Sequence, residues 1–361
     1  MLDRVPFNKD EITNAGEYPP FFPGFPPAKK FATPITPKEN IQALYRRELP
    51  LWIPLSTDSR LFAPRVDPDN IARCLVLEAN GLSPEEMVGG KDKHGIDWVF
   101  IPQAGGSMVV PGNPVLSDAN DWESVIQFPE LDSWDWEGSI QANKAGLESD
   151  ERAMTIWIQT GLFERLISFM DFEGAAIAVI DEDQKDAVKA LMDRLADMYI
   201  DIIGRYTKAY NPTTFTLHDD WGSQRSPFFS LETVMEMVVP ALSRVVQGAH
   251  DNGLNFDMHS CGKNELLVPA YIAAGCDSWS GQPMNDKAML FEKYGDQIIL
   301  GIEADIAFTP ETTAEEAAAC AKRFVEKYGP TMAEKPVLCS AMMASPIFTE
   351  TLYEESRKMF N

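Results

Sequence analysis

The chain has 361 residues, a hydrophobic content of 45% and 31 basic against 55 acidic side chains, which gives a formal net charge of -24. So acidic a chain repels phosphate backbones, which argues against nucleic acid as a partner. No run of about 18 apolar residues is present, so no membrane span is predicted. The polar N-terminus and five scattered cysteines indicate reduced thiols and a cytoplasmic location.

Residues 1–37 form a first region rich in proline and phenylalanine. Its five phenylalanines favour an ordered arm that packs on a surface, because disordered segments contain few aromatic residues. Residues 38–361 are predicted to form one catalytic domain, with an insertion around 103–150 that roofs the mouth of a barrel. The insertion contains an acidic stretch rich in tryptophan.

Short apolar runs with strand character alternate with helical patterns after the arm. Helices are predicted over 181–205, 230–250 and 312–328 from their apolar spacing and their capping residues. The predicted strands cover 51–55, 97–101, 154–160, 213–218, 254–259, 277–280, 298–303 and 336–340. Eight strands alternating with helices predict an α/β fold, a single (β/α)8 TIM barrel, with an open doubly wound sheet as the competing architecture.

Functional groups of such barrels lie at the carboxyl ends of the strands. His259 and Cys261 end one predicted strand and, by the alternation of strand side chains, point to the same side. Cys339 ends the last predicted strand. An imidazole and two thiolates are suitable zinc ligands, and three protein ligands leave a position open for chemistry. The competing interpretation is a core histidine and buried free cysteines.

Two further strand ends have acidic groups. One of these strands ends in His218, Asp219 and Asp220. Their side chains are candidates for general acid–base catalysis, substrate binding or metal ligation; the alternative interpretation is a turn that caps the next helix. Glu303 follows another strand as a candidate fourth zinc ligand that leaves when substrate binds, or as an ordinary loop carboxylate.

The chain resembles the uroporphyrinogen decarboxylase superfamily from about Thr36 to its end, and within it the zinc-dependent, corrinoid-linked methyltransferases. The resemblance is carried by TPKEN at 36–40, LPLWIP at 49–54, DWE at 121–123, HDDWG at 218–222 and HSCG at 259–262. It implies that His259, Cys261 and Cys339 bind zinc and that a partner protein carries the corrinoid (cobalamin). The chain departs from true decarboxylases because residues 1–45 contain one arginine, Arg4, where those enzymes have an arginine-rich segment.

The resemblance implies transfer of a methyl group between a small methylated compound and the cobalt of a corrinoid protein. We favour an aryl methyl ether as donor, hence O-demethylation, because the tryptophan-rich insertion suits an aromatic substrate and His218 or an aspartate offers a proton. The alternatives are a methylcorrinoid:thiol methyltransferase, a decarboxylase and a barrel that binds ligands without catalysis.

Overall fold

The computed structural model describes residues 2–20, 25–103, 105–341 and 344–360. Its strands are β1 Asn14–Tyr18, β2 Ala28–Phe31, β3 Ser59–Phe62, β4 Gly89–Lys91, β5 Asp97–Ile101, β6 Gly106–Val109, β7 Ala153–Ile158, β8 Thr214–His218, β9 Asn255–Ser260, β10 Ser278–Gly281, β11 Ile299–Glu303 and β12 Val337–Ser340. Its helices are α1 Pro37–Tyr45, α2 Pro68–Ala72, α3 Trp122–Val125, α4 Trp136–Glu148, α5 Leu162–Ala178, α6 Lys185–Tyr210, α7 Leu231–Met237, α8 Val239–Asp251, α9 Val268–Ala274, α10 Lys287–Tyr294, α11 Ala314–Tyr328 and α12 Pro346–Met359.

The central sheet has seven parallel strands in the described part of the chain, in the order β12-β11-β10-β9-β8-β7-β3. The sheet curls until its two edges approach, and between them Leu55 forms a single parallel bridge to Cys339. The backbone N–H of Cys339 donates to the carbonyl of Pro54 at 2.8 Å. The architecture is therefore TIM-barrel-like, but the ladder between β12 and β3 is not closed.

The prediction of eight barrel strands was wrong in two places. Residues 51–55 contribute that one bridge rather than a strand, and the short β3 follows them in the sheet. Residues 97–101 do form a strand, β5, but it pairs antiparallel with β4 and β6 in a separate three-stranded sheet. Both segments are short and apolar, and periodicity alone does not specify which sheet such a segment joins.

Side-chain alternation divides the barrel strands into two faces. Ile156, Phe215 and Met258 are buried in the hydrophobic core. Their neighbours, among them Thr155, Thr216 and Asp257, line the lumen. The period of two along each strand therefore puts the apolar residues against the helices and the polar residues inside the barrel.

The long helices follow the sequence signals closely. α6 buries Val188, Leu191 and Leu195 on the predicted face. The predicted helix 230–250 begins at its N-cap Ser230 but divides at Val238 into α7 and α8. Pro240 explains the break, because proline lacks the N–H that would continue the helix.

The N-terminal arm packs on α12. The rings of Phe31 and Tyr353 stack with centroids 4.8 Å apart. Buried Glu11 accepts hydrogen bonds from Tyr353 and from the fully buried guanidinium of Arg357. Phe21 and Phe22, on which the expected packing of the arm partly rested, lie outside the described residues.

The tryptophans of the 103–150 segment are not among the described residues that line the lumen. Trp136 packs edge-on against Tyr206 of α6, and Trp134 stacks on Trp136. The tryptophan that lines the lumen is Trp157 of β7. The aromatic roof that the sequence predicts over the barrel mouth therefore stays a prediction, while the lumen itself takes its tryptophan from β7. Among the described residues, no helix is both long and apolar enough to cross a membrane.

Candidate functional site

His218 and His259 face each other at the carboxyl ends of adjacent strands. The two residues are paired in the register of β8 and β9. Their rings lie 5.1 Å apart between centroids. Because both follow the lumen-facing alternation of their strands, the imidazoles point into the mouth of the barrel.

Cys261 completes the cluster one residue beyond β9. Its Sγ lies 3.7 Å from Nε2 of His218 and 3.7 Å from Nε2 of His259. One ligand atom from each of the three residues lies within 4.8 Å of the other two. The structure thus brings together the predicted pair His259 and Cys261, and adds His218 from the second motif.

Two glycines explain how the loops after β8 and β9 pack so closely. Gly262 has a φ of +89°, and a Cβ there would lie 2.5 Å from the carbonyl oxygen of Gly222. A Cβ on Gly222 would in turn meet the side chain of Asn264. The glycines that end both motifs therefore let two backbones touch, which holds Cys261 beside the histidines.

Asp220 holds the cluster from one side. Its Oδ1 accepts the backbone N–H of Cys261 at 2.6 Å and lies 3.0 Å from Nε2 of His218. Burial raises the pKa of Asp220, but the His218 cation and these hydrogen bonds outweigh burial and lower it below the usual range. Asp220 is therefore an anion beside Nε2 of His218 and the backbone N–H of Cys261.

Glu164, at the start of α5, faces His218 from the other side of the cluster. Arg73 donates to its Oε1 at 3.2 Å, while its Oε2 lies 3.9 Å from Nδ1 of His218. That separation is too long for a hydrogen bond, and both atoms are buried without a hydrogen-bond partner. Burial raises the pKa of Glu164 to about 7, against the lowering effect of Arg73 and His218.

The two imidazoles titrate in opposite directions. Burial lowers the pKa of His218, but Glu164 and Asp220 outweigh burial and raise it well above its ordinary value. Burial and the neighbouring His218 cation lower the pKa of His259 to about 3. Burial also raises the pKa of the Cys261 thiol. His259 is thus neutral, which is the form that binds metals.

Cys339 is not part of this cluster. Leu338 and Ser340 line the lumen, so Cys339 between them faces the helices, where it is fully buried beside Ile302 of β11. The predicted grouping of Cys339 with His259 and Cys261 therefore differs from the structure. The reason is strand parity, which a position at the end of a strand does not reveal.

Asp219 caps a helix instead of facing the site. Its carboxylate accepts the backbone N–H groups of Phe163 and Glu164, and the indole N–H of Trp221. Asp219 is fully buried. The capping interpretation of this residue, left open by the sequence, is the one that the structure supports.

Glu303 lines the lumen but pairs with a cation. Nζ of the buried Lys287 lies 2.5 Å from its Oε1. The carboxylate is not among the atoms grouped around His218, His259 and Cys261. Glu303 is therefore a wall residue of the cavity beside the cluster.

Below the cluster, the lumen forms a cavity of about 600 Å³. Its walls include His259, Trp157 and Tyr45, and Asp257 lies two residues below His259 on β9. The ring of Trp157 is 5.0 Å from that of His259. Sequence reasoning missed Glu164, Trp157 and Lys287, although strand parity pointed Trp157 inward and Glu164 follows the end of β7.

The cluster fits a zinc ion. A tetrahedral zinc separates a sulfur ligand from a nitrogen ligand by about 3.6 Å, close to the 3.7 Å between Cys261 Sγ and each histidine Nε2. The donor set of two imidazoles and one thiol is one that zinc accepts with a fourth position open. His218, His259 and Cys261 are the residues that would hold it.

No protein-family model and no curated protein sequence matches the chain. A solved structure, a methyltransferase from Methanosarcina mazei, matches 90% of this chain and 99% of its own chain at 13% identity and a TM-score of 0.56. A xylose isomerase-like TIM barrel protein from Mycobacterium smegmatis, in complex with magnesium, matches 62% of this chain and 79% of its own at 10% identity and a TM-score of 0.31. The chain therefore shares the fold of the Methanosarcina structure.

Proposed function

We propose that this chain is a zinc-dependent methyltransferase that moves a methyl group from a small donor to the cobalt of a corrinoid protein. The observation that carries the proposal is the convergence of His218, His259 and Cys261 at the mouth of a lumen large enough for one aromatic ring. The fold shared with a solved methyltransferase supports it.

The favoured donor is an aryl methyl ether. Bound zinc would supply a Lewis acid for the ether oxygen, which makes the phenoxide a better leaving group. Trp157 and Leu61 offer an apolar wall for the ring. The corrinoid comes from a partner protein in this proposal and approaches the open mouth of the barrel.

The residues around the cluster set its protonation. Asp220 fixes the backbone of Cys261 and faces Nε2 of His218. Glu164 faces Nδ1 of the same ring, so a small approach makes a hydrogen bond that orients the imidazole, as carboxylates commonly do for metal-binding histidines. A metal displaces protons from Cys261 Sγ and from a histidine nitrogen, so binding strengthens as the pH rises.

The lumen gives no support to the decarboxylase alternative. A substrate with several carboxylates needs several cations around it. The described residues that line the lumen include neither lysine nor arginine. Lys287, which lies behind Glu303, is already paired.

Metal analysis of the purified, dialysed protein tests the ligand set. We expect about one zinc per chain in the wild type and loss of zinc in Cys261→Ala and His259→Ala, because removing one of three ligands opens the site. Cys339→Ala is the matched control, since it also removes a thiol from a strand end, and it should keep its zinc. Loss of zinc in Cys339→Ala with retention in His218→Ala would contradict the ligand set proposed here.

A methyl-transfer assay tests the reaction. Reduced cobalamin is mixed with the protein and a panel of methoxyarenes, methylamines, methanol and methyl thiols, and the cobalt spectrum is followed. We expect transfer from methoxyarenes that falls at least about a hundredfold in Cys261→Ala. Unchanged transfer in that variant, or after removal of zinc, would show that the proposal is wrong.

A further inference from the structure

One row of the lumen places an aromatic ring and a carboxylate on either side of a threonine. Trp157 is the register partner of Thr216, and Thr216 is the register partner of Asp257. Adjacent strands lie about 4.8 Å apart, so the Trp157 and Asp257 backbone positions are about 10 Å apart along the wall of the lumen. This row lies one layer below the row that contains His218 and His259.

Asp257 is held by hydroxyl groups. Ser278 donates to Oδ1 at 2.6 Å, Thr216 donates to Oδ2 at 3.2 Å, and Ser280 lies within 3.1 Å of both oxygens. Tyr45 extends this network through its contact of 3.0 Å with the Ser278 hydroxyl. Hydroxyl groups solvate a carboxylate but leave its charge in place.

The two carboxylates of the lumen differ in their partners. Glu303 faces the ammonium of Lys287. The described contacts of Asp257 include no ion pair, and the described lining residues contribute no lysine or arginine. A buried carboxylate without a cation is costly, so a ligand that brings its own positive charge gains an interaction that the protein does not supply.

The rest of the cavity is suited to a compact apolar body. Leu61, Leu338 and Trp157 line it, and the indole N–H of Trp157 is buried without a partner. Along β9, Asp257 lies two positions before His259, which corresponds to about 7 Å. One six-membered ring with a substituent at each end bridges that distance.

We propose that the lumen selects a ring-sized substrate with a protonated amine directed to Asp257, while its opposite end reaches the His218–His259–Cys261 cluster. The inference rests on the proposed function, since it assigns the methyl ether to the cluster end of that ligand. It predicts discrimination by charge: amines bind best, alcohols less well, and carboxylates worst.

Calorimetric titration of the full chain with three matched compounds tests this selection. The compounds are 4-methoxybenzylamine, 4-methoxybenzyl alcohol and 4-methoxybenzoate. The titrations are run at about pH 7.5 without added corrinoid or metal, so that the amine is protonated and the benzoate is ionised. We expect the amine to bind at least about tenfold more tightly than the benzoate, because a charge-assisted hydrogen bond is worth that factor or more. Asp257→Asn should weaken amine binding at least about tenfold and change alcohol binding little.

Asp193→Asn is the matched control. It removes the same charge from an exposed residue that pairs with Arg244, so it should leave all three affinities unchanged. Equal or tighter binding of the benzoate, no measurable binding of the amine, or full amine affinity in Asp257→Asn would each overturn the proposal. If Asp257→Asn does not fold, the comparison of amine with alcohol on the wild type decides, and equal affinities reject it.

The binding experiment and the transfer assay fail separately. Preferential binding of the amine without methyl transfer would rule out the proposed reaction and support the proposed ligand class. Methyl transfer from methoxyarenes without preferential binding of the amine would rule out the proposed ligand class and support the proposed reaction.

Discussion

Asp219 and Asp220 are neighbours in the chain, yet the structure gives them separate tasks. Asp219 faces the first turn of α5 and is surrounded by three N–H donors. Asp220 faces Nε2 of His218 and accepts the backbone N–H of Cys261. The turn at the end of β8 directs successive side chains to opposite sides. Asp219 therefore stabilises the fold, and Asp220 contacts the cluster of His218 and Cys261.

Replacement of Asp219 by alanine should therefore damage stability rather than chemistry. The change leaves three buried donors without an acceptor, which costs about 2–4 kcal/mol of unfolding free energy. Urea unfolding of Asp219→Ala measures the loss. Asp220→Ala is the comparison: its stability should change less than that of Asp219→Ala, while its zinc affinity falls. The reverse ranking of the two variants would contradict this division of tasks.

At the scale of elements, the N-terminal arm and α12 form one unit through Glu11. Its carboxylate accepts from Tyr353 and Arg357, and the guanidinium of Arg357 is fully buried. Burial raises the pKa of Glu11, but the hydrogen bonds from Arg357 and Tyr353 outweigh it, so the pKa lies below its ordinary value. The arm thus contributes an ion pair that the C-terminal helix cannot make alone.

We expect Glu11→Gln to lower the unfolding free energy at pH 7 by about 3 kcal/mol, because it removes the negative charge that faces the buried guanidinium of Arg357. A carboxyl with a lowered pKa in the folded state stabilises the protein above its unfolded pKa and loses this effect as the pH falls through the folded value. The difference between wild type and variant should therefore shrink below about pH 4. Urea unfolding at several pH values measures it. A difference that grows on acidification would exclude the lowered pKa.

At the scale of the whole molecule, the net charge of -24 affects stability directly. Like charges repel across a compact surface, and salt screens them within about 8–10 Å near 0.1 M. We expect the urea midpoint at pH 8 to rise when sodium chloride is increased from about 10 mM to about 300 mM. The rise should be smaller near the calculated isoelectric point of about 4.5, where the net charge vanishes. A midpoint that is independent of salt at pH 8 would show that self-repulsion is negligible.

The sequence by itself located three of the longer helical segments, most barrel strands and the pair His259 and Cys261. Apolar spacing located α6 and α11, and the two-residue period placed His259 on the lumen side of β9 with Asp257. These features depend on neighbours in the chain, where periodicity and capping act. Because the H-x-C spacing is local, it keeps His259 and Cys261 close together regardless of how the rest of the barrel folds.

Only the tertiary structure decided which distant residues meet. It placed His218 beside His259 and Glu164 beside His218, left Cys339 on the helix side of β12, and packed Trp136 of the 103–150 segment against Tyr206 of α6. Strand order, register and the side on which a short segment packs depend on the free energy of the whole sheet rather than on local propensity. The sequence therefore predicts that His259 and Cys261 lie together, whereas only the fold shows that His218 joins them.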